Sequence, residues 1–520
     1  VTSIEHDATG RPTAIEAPFG TRTLLAADAA GWLEAVTDAT GAIHALTTQP
    51  DGLLTAYTDP KQQTAHFEYG PYGYLAKDTD RAGGWKELAR TESAGVSEVT
   101  LTTRLGRTTR FRTERTEPSG DEHRTITDAA GLATTQLRDA KDAVTITSPT
   151  GVVTAATPAP DFRFGLAAPL TGTLSIATQG GRSHLRMHTR SGSSNDATGA
   201  LEQQTDTVVV NGRTTSRVWQ HDAPVPWDPE ASGLRTTTSA ANRSIAEAID
   251  ARGRLKASRA GTLHPTKLSY DTRGRIESIA QGPGTADRTT IFTYHPTTGR
   301  LTAITDPASR VTTFDLYDAA GRVLAMTLPG ARTIGFTYDA NGNLASLTPP
   351  GKPAHVFRYT AVDQEEEYEP PTLVGIPDPR TLYAYDLDRK LDFVTRPDGK
   401  TVDLAYEAGT GRLDTITIAE GVYDHGYHAT TDPLTGEAAG QIATIAAPGG
   451  QNLAFTWDGE LPLASIWSGS VAGTVSRTFD DDFRIETETA GGNTIAFLYD
   501  DDGLLTNAGG LSITRNGQGA

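Results

Sequence analysis

Turn signals recur along this chain at the length of one strand plus one turn, and that beat constrains the fold more than any other feature of the sequence. Over residues 1–85 glycines fall at Gly10, Gly20, Gly31, Gly41, Gly52, Gly73 and Gly83. The intervals sit near ten or eleven residues, with one beat skipped where Lys61 stands in Asp59-Pro60-Lys61. Such spacing is that of an antiparallel β meander.

From Tyr270 the period doubles. Tyr270-Asp271-Thr272-Arg273-Gly274-Arg275, Tyr317-Asp318-Ala319-Ala320-Gly321-Arg322 and Tyr338-Asp339-Ala340-Asn341-Gly342-Asn343 share one pattern. Degenerate copies begin at Tyr294, Tyr385 (with Asp386), Tyr406, Trp457, Phe479 and Tyr499 (with Asp500 and Gly503). A second turn type lies between them, at Asp306-Pro307, Leu328-Pro329-Gly330, Pro349-Pro350-Gly351 and Pro397-Asp398-Gly399. Each unit of about 21 residues thus holds two strands and two turns. In Thr401–Tyr406, Val402, Leu404 and Tyr406 share one face, and Thr401, Asp403 and Ala405 the other. Asp at the first turn position bonds its own backbone two residues on, and Gly at the fourth takes positive φ without a Cβ penalty.

Composition agrees with an all-β chain: roughly 80 threonines, 53 Gly and 29 Pro suit pleated strands and turns. Were the whole chain strands, it would supply roughly 45, and at 4.8 Å each the sheet would run about 200 Å. An open sheet that long must curl or split. Curled, it would be a wall around a space roughly 60–70 Å across.

The net charge of −18 argues against wrapping nucleic acid or lying on an anionic membrane. No cysteine is present, so neither a disulfide framework nor a Cys-ligated metal site is expected. The uncharged stretch from Ala438 to Trp457 is broken by Pro448, Gly449, Gly450 and Gln451 and does not read as a transmembrane helix. With Val1 first and a polar end at Asn516–Ala520, the sequence reads as a piece of a longer polypeptide. Only nine of the 46 basic residues are lysine, which points to a GC-rich bacterial source.

The repeated Tyr-Asp-x-x-Gly resembles the YD repeat of the Rhs family, which includes bacterial polymorphic toxins, cocoon-forming components of Tc toxins, and teneurins. Gly351 to Pro371, with His355, Phe357, Tyr359, Asp363 and Tyr368, resembles a longer segment of bacterial Rhs proteins. Asp161 to Leu170 and Val210-Asn211-Gly212-Arg213 resemble a less regular one. The resemblance implies a hollow, spiralling antiparallel β-shell, of which this chain would be part. It implies a secreted or cell-surface bacterial protein whose partner is a toxin or effector domain at the C-terminal end of the same polypeptide, with a secretion-system or cell-surface component as a further partner. The family's self-cleaving aspartate core has no counterpart after Gly503. A teneurin-like recognition scaffold, with carbohydrate among its ligands, is the alternative.

By segments, residues 1–157 read as degenerate repeats and 158–259 as irregular β with long loops, a candidate lid or plug. Residues 260–511 read as regular repeats with an acidic insertion near 360–380, and 512–520 as a polar tail. The insertion is expected to leave the wall as a solvated loop around Glu365-Glu366-Glu367. His425 and His428 fall on opposite faces of a strand, so surface or turn positions outweigh a metal pair. Asp480-Asp481-Asp482 and Asp500-Asp501-Asp502 lie in register as repeat turns and lack the closing Glu of a twelve-residue calcium loop. No nucleophile elbow, phosphate loop, paired-histidine zinc motif or dinucleotide fingerprint occurs. No catalytic residue, cofactor or metal site is therefore assigned, and the positions singled out are the structural ones: Tyr270, Asp271, Gly274, Tyr317, Asp318, Gly321, Tyr338, Asp339, Gly342, Tyr385, Asp386, Tyr499, Asp500 and Gly503.

Overall fold

The computed structural model describes residues 2–517 apart from 196, 226, 229, 285, 373, 374, 376 and 377. Among them 45 strands follow one another from Ser3–His6 to Leu511–Ser512, interrupted by one 3-10 turn at Pro448–Gly450. Strand after strand pairs antiparallel with the next along the chain, forming one open sheet. The strand Thr401–Tyr406 alternates exposed and half-buried residues, with Val402, Leu404 and Tyr406 on the half-buried face.

Most of the described turns share one backbone rule. In Tyr338-Asp339-Ala340-Asn341-Gly342, the Gly342 N–H donates to the Asp339 carbonyl (3.0 Å) and the Asp339 N–H to the Asn343 carbonyl (2.9 Å). This is a type I turn closed by a left-handed fourth residue. Gly274, Gly321, Gly342 and Gly503 hold φ of 87°, 89°, 92° and 80°. The beat at Lys61 is not skipped: Gln62 takes the fourth position at φ 65°, its N–H on the Asp59 carbonyl. Ser309, Asp363, Arg389 and Phe483 do the same in their turns, which a search for glycine passes over.

In the early run to residue 90 and again from residue 245 onward, a bulge accompanies every second hairpin; the hairpins over 110–157 and 201–249 pair without one. Register shifts fall at Glu5/His6, Ala26/Ala27, Thr47/Thr48 and Glu68/Tyr69, then at Ser269/Tyr270, Thr337/Tyr338, Arg358/Tyr359 and Ala384/Tyr385. The hairpins between them, turning at 17–20, 38–41, 59–62, 306–309 and 396–399, pair without a shift. Successive turns of a meander lie on opposite edges, so the extra residues collect on one edge. Extra twist is introduced there and not on the other. The repeat tyrosines sit on this edge, the tyrosine edge.

One expectation from the sequence is overturned. Glu365–Glu369 is not a departing loop but a strand, paired with His355–Tyr359 on one side and Thr381–Tyr385 on the other. Arg358 pairs with Glu367 and Glu369 and Arg380 lies 3.5 Å from Glu367, while Tyr368 stacks on Phe357 from the other face. Those cations let an acidic run sit in a ladder. The segment 158–259 contains long strands, Gly165–Ala177, Ser183–Ser194, Leu201–Val210 and Arg213–His221, and the ladder continues through them.

The chain divides into two compact units, one of residues 1–90, 99–108 and 290–420, the other of 91–98, 109–289 and 421–520. Neither has a thick core. Among the described residues eight hydrophobic side chains are buried, and six of those are alanine. The accessible surface is 28938 Å². A compact monomer of this mass would expose about 18,000 Å², and two separate compact halves about 22,000 Å². A single-layer sheet accounts for the excess.

Replacing Gly342 by Val puts a β-branched residue at φ 92° and a Cβ 2.7 Å from the Arg322 guanidinium. A loss of about 1–3 kcal/mol is expected from the left-handed backbone. Urea unfolding of Gly342→Val against wild type measures it.

Candidate functional site

With so little buried apolar surface, cohesion along the sheet falls to the turns. Each Tyr-Asp turn is a small polar device. The Asp318 carboxylate accepts the Arg322 backbone N–H at 2.9 Å and its Nε at 2.6 Å. Asp271 holds the Arg273 and Arg275 amides and the Arg275 Nε at 2.9, 2.9 and 2.7 Å. Burial raises the Asp318 carboxyl, but these donors outweigh it and hold it below its usual range.

The arginine then reaches the next repeat. Arg322 lies over the Tyr338 ring at 4.8 Å and against Gly342; Arg254 covers Tyr270 at 4.1 Å and Arg484 covers Tyr499 at 4.4 Å. The tyrosine hydroxyl returns the contact. Tyr270 donates to the Leu255 carbonyl, Tyr317 to Leu301, Tyr338 to Val323, Tyr385 to Glu365 and Tyr499 to Ile485, at 2.6–3.1 Å. In four of the five, with Arg300 covering Tyr317 at 5.4 Å, the acceptor is the residue just after the covering arginine. Trp457 does the same with its indole N–H on the Ile442 carbonyl, 2.8 Å. At the early repeats Arg11, Trp32 and Leu53 cover Gly31, Gly52 and Gly73, so the device persists there without its signature residues.

Within each unit a second set of contacts joins turns far apart in sequence. In the first unit the turns 59–62, 80–83 and 103–106, on the edge opposite the tyrosines, meet tyrosine-edge turns 339–342, 360–363 and 386–389. Asp59, 1% exposed, bonds Arg81 and accepts from Asn341 at 2.8 Å. Arg81 also bonds Asp363 at 2.8 Å, and Lys61 bonds Asp339 at 2.5 Å. Arg107 lies 3.2 and 2.9 Å from Asp386 and Asp388. In the second unit Asn211 and Arg213 bond Asp482, Arg243 bonds Asp500 and Asp502 (2.6 Å each), and Thr178 bonds Asp458 (2.6 Å). The Asp480–Asp482 and Asp500–Asp502 clusters are thus engaged by arginines. Among the described residues no three His, Asp or Glu side chains converge to hold a metal ion. His425 lies in the strand Gly421–Tyr427, and His428, just after it, bonds the Phe455 carbonyl at 3.2 Å.

A family model described as Teneurin YD-shell matches residues 1–520. The chain belongs to the teneurin YD-shell family. It is also similar to the crystal structure of TcdB2-TccC3, at 12% identity and a TM-score of 0.42, over 97% of this chain and 35% of that one. It is similar to a Photorhabdus luminescens Tc holotoxin pore carrying a TccC3 mutation, at 11% identity and a TM-score of 0.35, over 98% of this chain and 35% of that one. The YD-shell chain therefore spans about a third of the length of these structures. No curated protein matches its sequence.

These turn-to-turn contacts form a seam within each unit, and its carboxylates make stability acid-sensitive. Burial raises Asp363, but Asn341, Asn343 and Arg81 outweigh it and bring it to about 2. Asp500, bonded by Arg243, and Asp502 are also lowered. A depressed folded-state pKa contributes stability above the unfolded value near 3.8, lost as pH falls toward 2. The melting temperature should therefore fall between pH 4 and 2, and Asp363→Asn should make that fall shallower. Separately, Tyr338→Phe strands the Val323 carbonyl and should cost about 1 kcal/mol in urea unfolding.

Proposed function

We propose that this chain is a wall segment of a YD-shell that encloses a polypeptide belonging to the same protein, a toxin or effector domain held until delivery. The single-layer sheet is the observation that supports this reading. One face of such a sheet cannot be covered by a second layer of its own and is left for solvent or cargo. Membership of the YD-shell family supports the structural role, and the motifs present supply turn closure rather than turnover. The chain acts as a scaffold, not an enzyme, in a secreted or surface-exposed bacterial protein.

Two measurements test it. A compact 520-residue globule has a radius of gyration near 24 Å. Small-angle scattering on this chain should exceed that clearly, and a value near 24 Å with one symmetric pair-distance peak would mean a solid body. Limited proteolysis of the protein expressed from its full reading frame should leave the polypeptide outside this segment protected until the wall is unfolded. Digestion of that polypeptide at the rate of an unfolded chain overturns enclosure. The teneurin name of the family favours a second reading, a cell-surface recognition scaffold, and binding of the intact protein to cells or to a glycan array would point there.

A further inference from the structure

Four of the turn-to-turn contacts share a constant half and a variable half. The constant half is an amide: the N–H of the third residue of the earlier turn donates to the Oδ1 of a facing side chain. Lys61 donates to Asn341 (3.3 Å), Leu105 to Asp388 (3.4 Å), Gly180 to Asp458 (2.8 Å) and Ala241 to Asp502 (2.9 Å).

The variable half joins the other terminal atom of that facing side chain to the first residue of the earlier turn. Three contacts use a hydroxyl. Thr103, Thr178 and Ser239 donate to Oδ2 of Asp388, Asp458 and Asp502 at 2.7, 2.6 and 2.6 Å. The same hydroxyls accept their own turn's amide from Arg107, Arg182 and Arg243 at 3.3, 3.2 and 3.1 Å. The fourth contact reverses the direction. Asp59 stands where the hydroxyl would be and accepts the Gln63 amide at 2.9 Å. A carboxylate has no proton to donate, and the facing residue is Asn341, whose Nδ2 donates to Asp59 at 2.8 Å.

We propose that these four pairs are register keys, which decide which tyrosine-edge hairpin of the later run docks on which hairpin of the earlier one. The permitted pairs are hydroxyl with carboxylate and carboxylate with amide. A carboxylate facing a carboxylate has two acceptors, no donor and two buried charges. In the first unit, sliding by one tyrosine-edge hairpin would bring the turn 360–363 onto 59–62. Its third residue, Val362, offers the Lys61 amide no acceptor. Sliding by two would set Asp388 against Asp59. The keys act between runs of hairpins whatever the wall contains.

The test exchanges the letters within one key. Asn341→Asp alone faces Asp59 with a second carboxylate among Arg81, Lys61, Asp339 and Asp363, and should lower the melting temperature. Asp59→Ser alone should lower it too. The double variant restores a hydroxyl against a carboxylate, as at Ser239 and Asp502, and leaves Arg81 a carboxylate on each side; it gives up the Asn341 Nδ2 bond to Asp363 (2.9 Å), so it should recover part of the summed loss. In the second unit, Ser239→Asp with Asp502→Asn should recover in the same way. Two facing carboxylates share a proton above the ordinary carboxylate range. The deficit of Asn341→Asp should therefore shrink between pH 8 and pH 5, which loss of shape alone would not produce. Should that single variant fail to fold, recovery of β circular dichroism in the double variant is the readout, and protection of the Lys61 amide in hydrogen exchange reports the restored contact. Additive losses in both double variants, or a deficit unchanged with pH, overturn the proposal.

Discussion

The aspartate at the first turn position is the interaction from which the rest of the structure is built. Its carboxylate closes the turn by taking two backbone amides, and with a free lone pair it anchors the arginine that follows the turn. The anchored arginine is thereby aimed along the edge, onto the tyrosine of the next repeat. That tyrosine, in turn, hydrogen-bonds back to the previous strand. Closure of one turn and attachment to its neighbour are thus one connected network. A two-layer protein obtains cohesion between strands by burying apolar faces together. This sheet has eight buried hydrophobic side chains among its described residues, and substitutes oriented polar contacts along one edge.

Polar contacts carry a requirement that apolar ones do not, since each donor needs an acceptor and each charge an opposite or a neutral donor. An exposed ion pair at a turn tip contributes little. The seam pairs differ because Asp59, Arg107 and Asp458 are nearly closed off from solvent, where a missing partner is costly. The seam therefore discriminates between right and wrong partners more strongly than it adds net stability. A wall made of near-identical hairpins needs that discrimination, because its apolar pattern looks the same after a slip of one repeat.

Strand content, antiparallel order and turn chemistry were legible in the sequence because they follow from neighbours within about ten residues. Glycine at Gly321 and aspartate at Asp318 announce themselves locally. The turn at Gln62 was not legible, since a left-handed glutamine carries no signature beyond the beat it keeps. The strand Glu365–Glu369 was missed for a different reason. Three successive acids read as solvated until Arg358 and Arg380 are known to lie across the ladder, and Arg380 reaches them from 13 residues further on, beyond the stretched turn.

The seam was the least legible part. Asp59 bonds a residue 282 positions away and Thr178 one 280 away, distances no local pattern encodes. Yet a trace exists in retrospect. Most turns of the first unit's early run open with Asp, while Thr103, Ser148, Thr178 and Ser239 open theirs with a hydroxyl. Either type caps its own turn amide, so local structure gives no reason for the change. The reason lies across the seam for three of the four, where a facing carboxylate needs a donor that aspartate lacks. A substitution neutral for the turn that contains it is then informative about the turn that faces it. In a repeat protein the departures from the repeat are the place to look for long-range contacts.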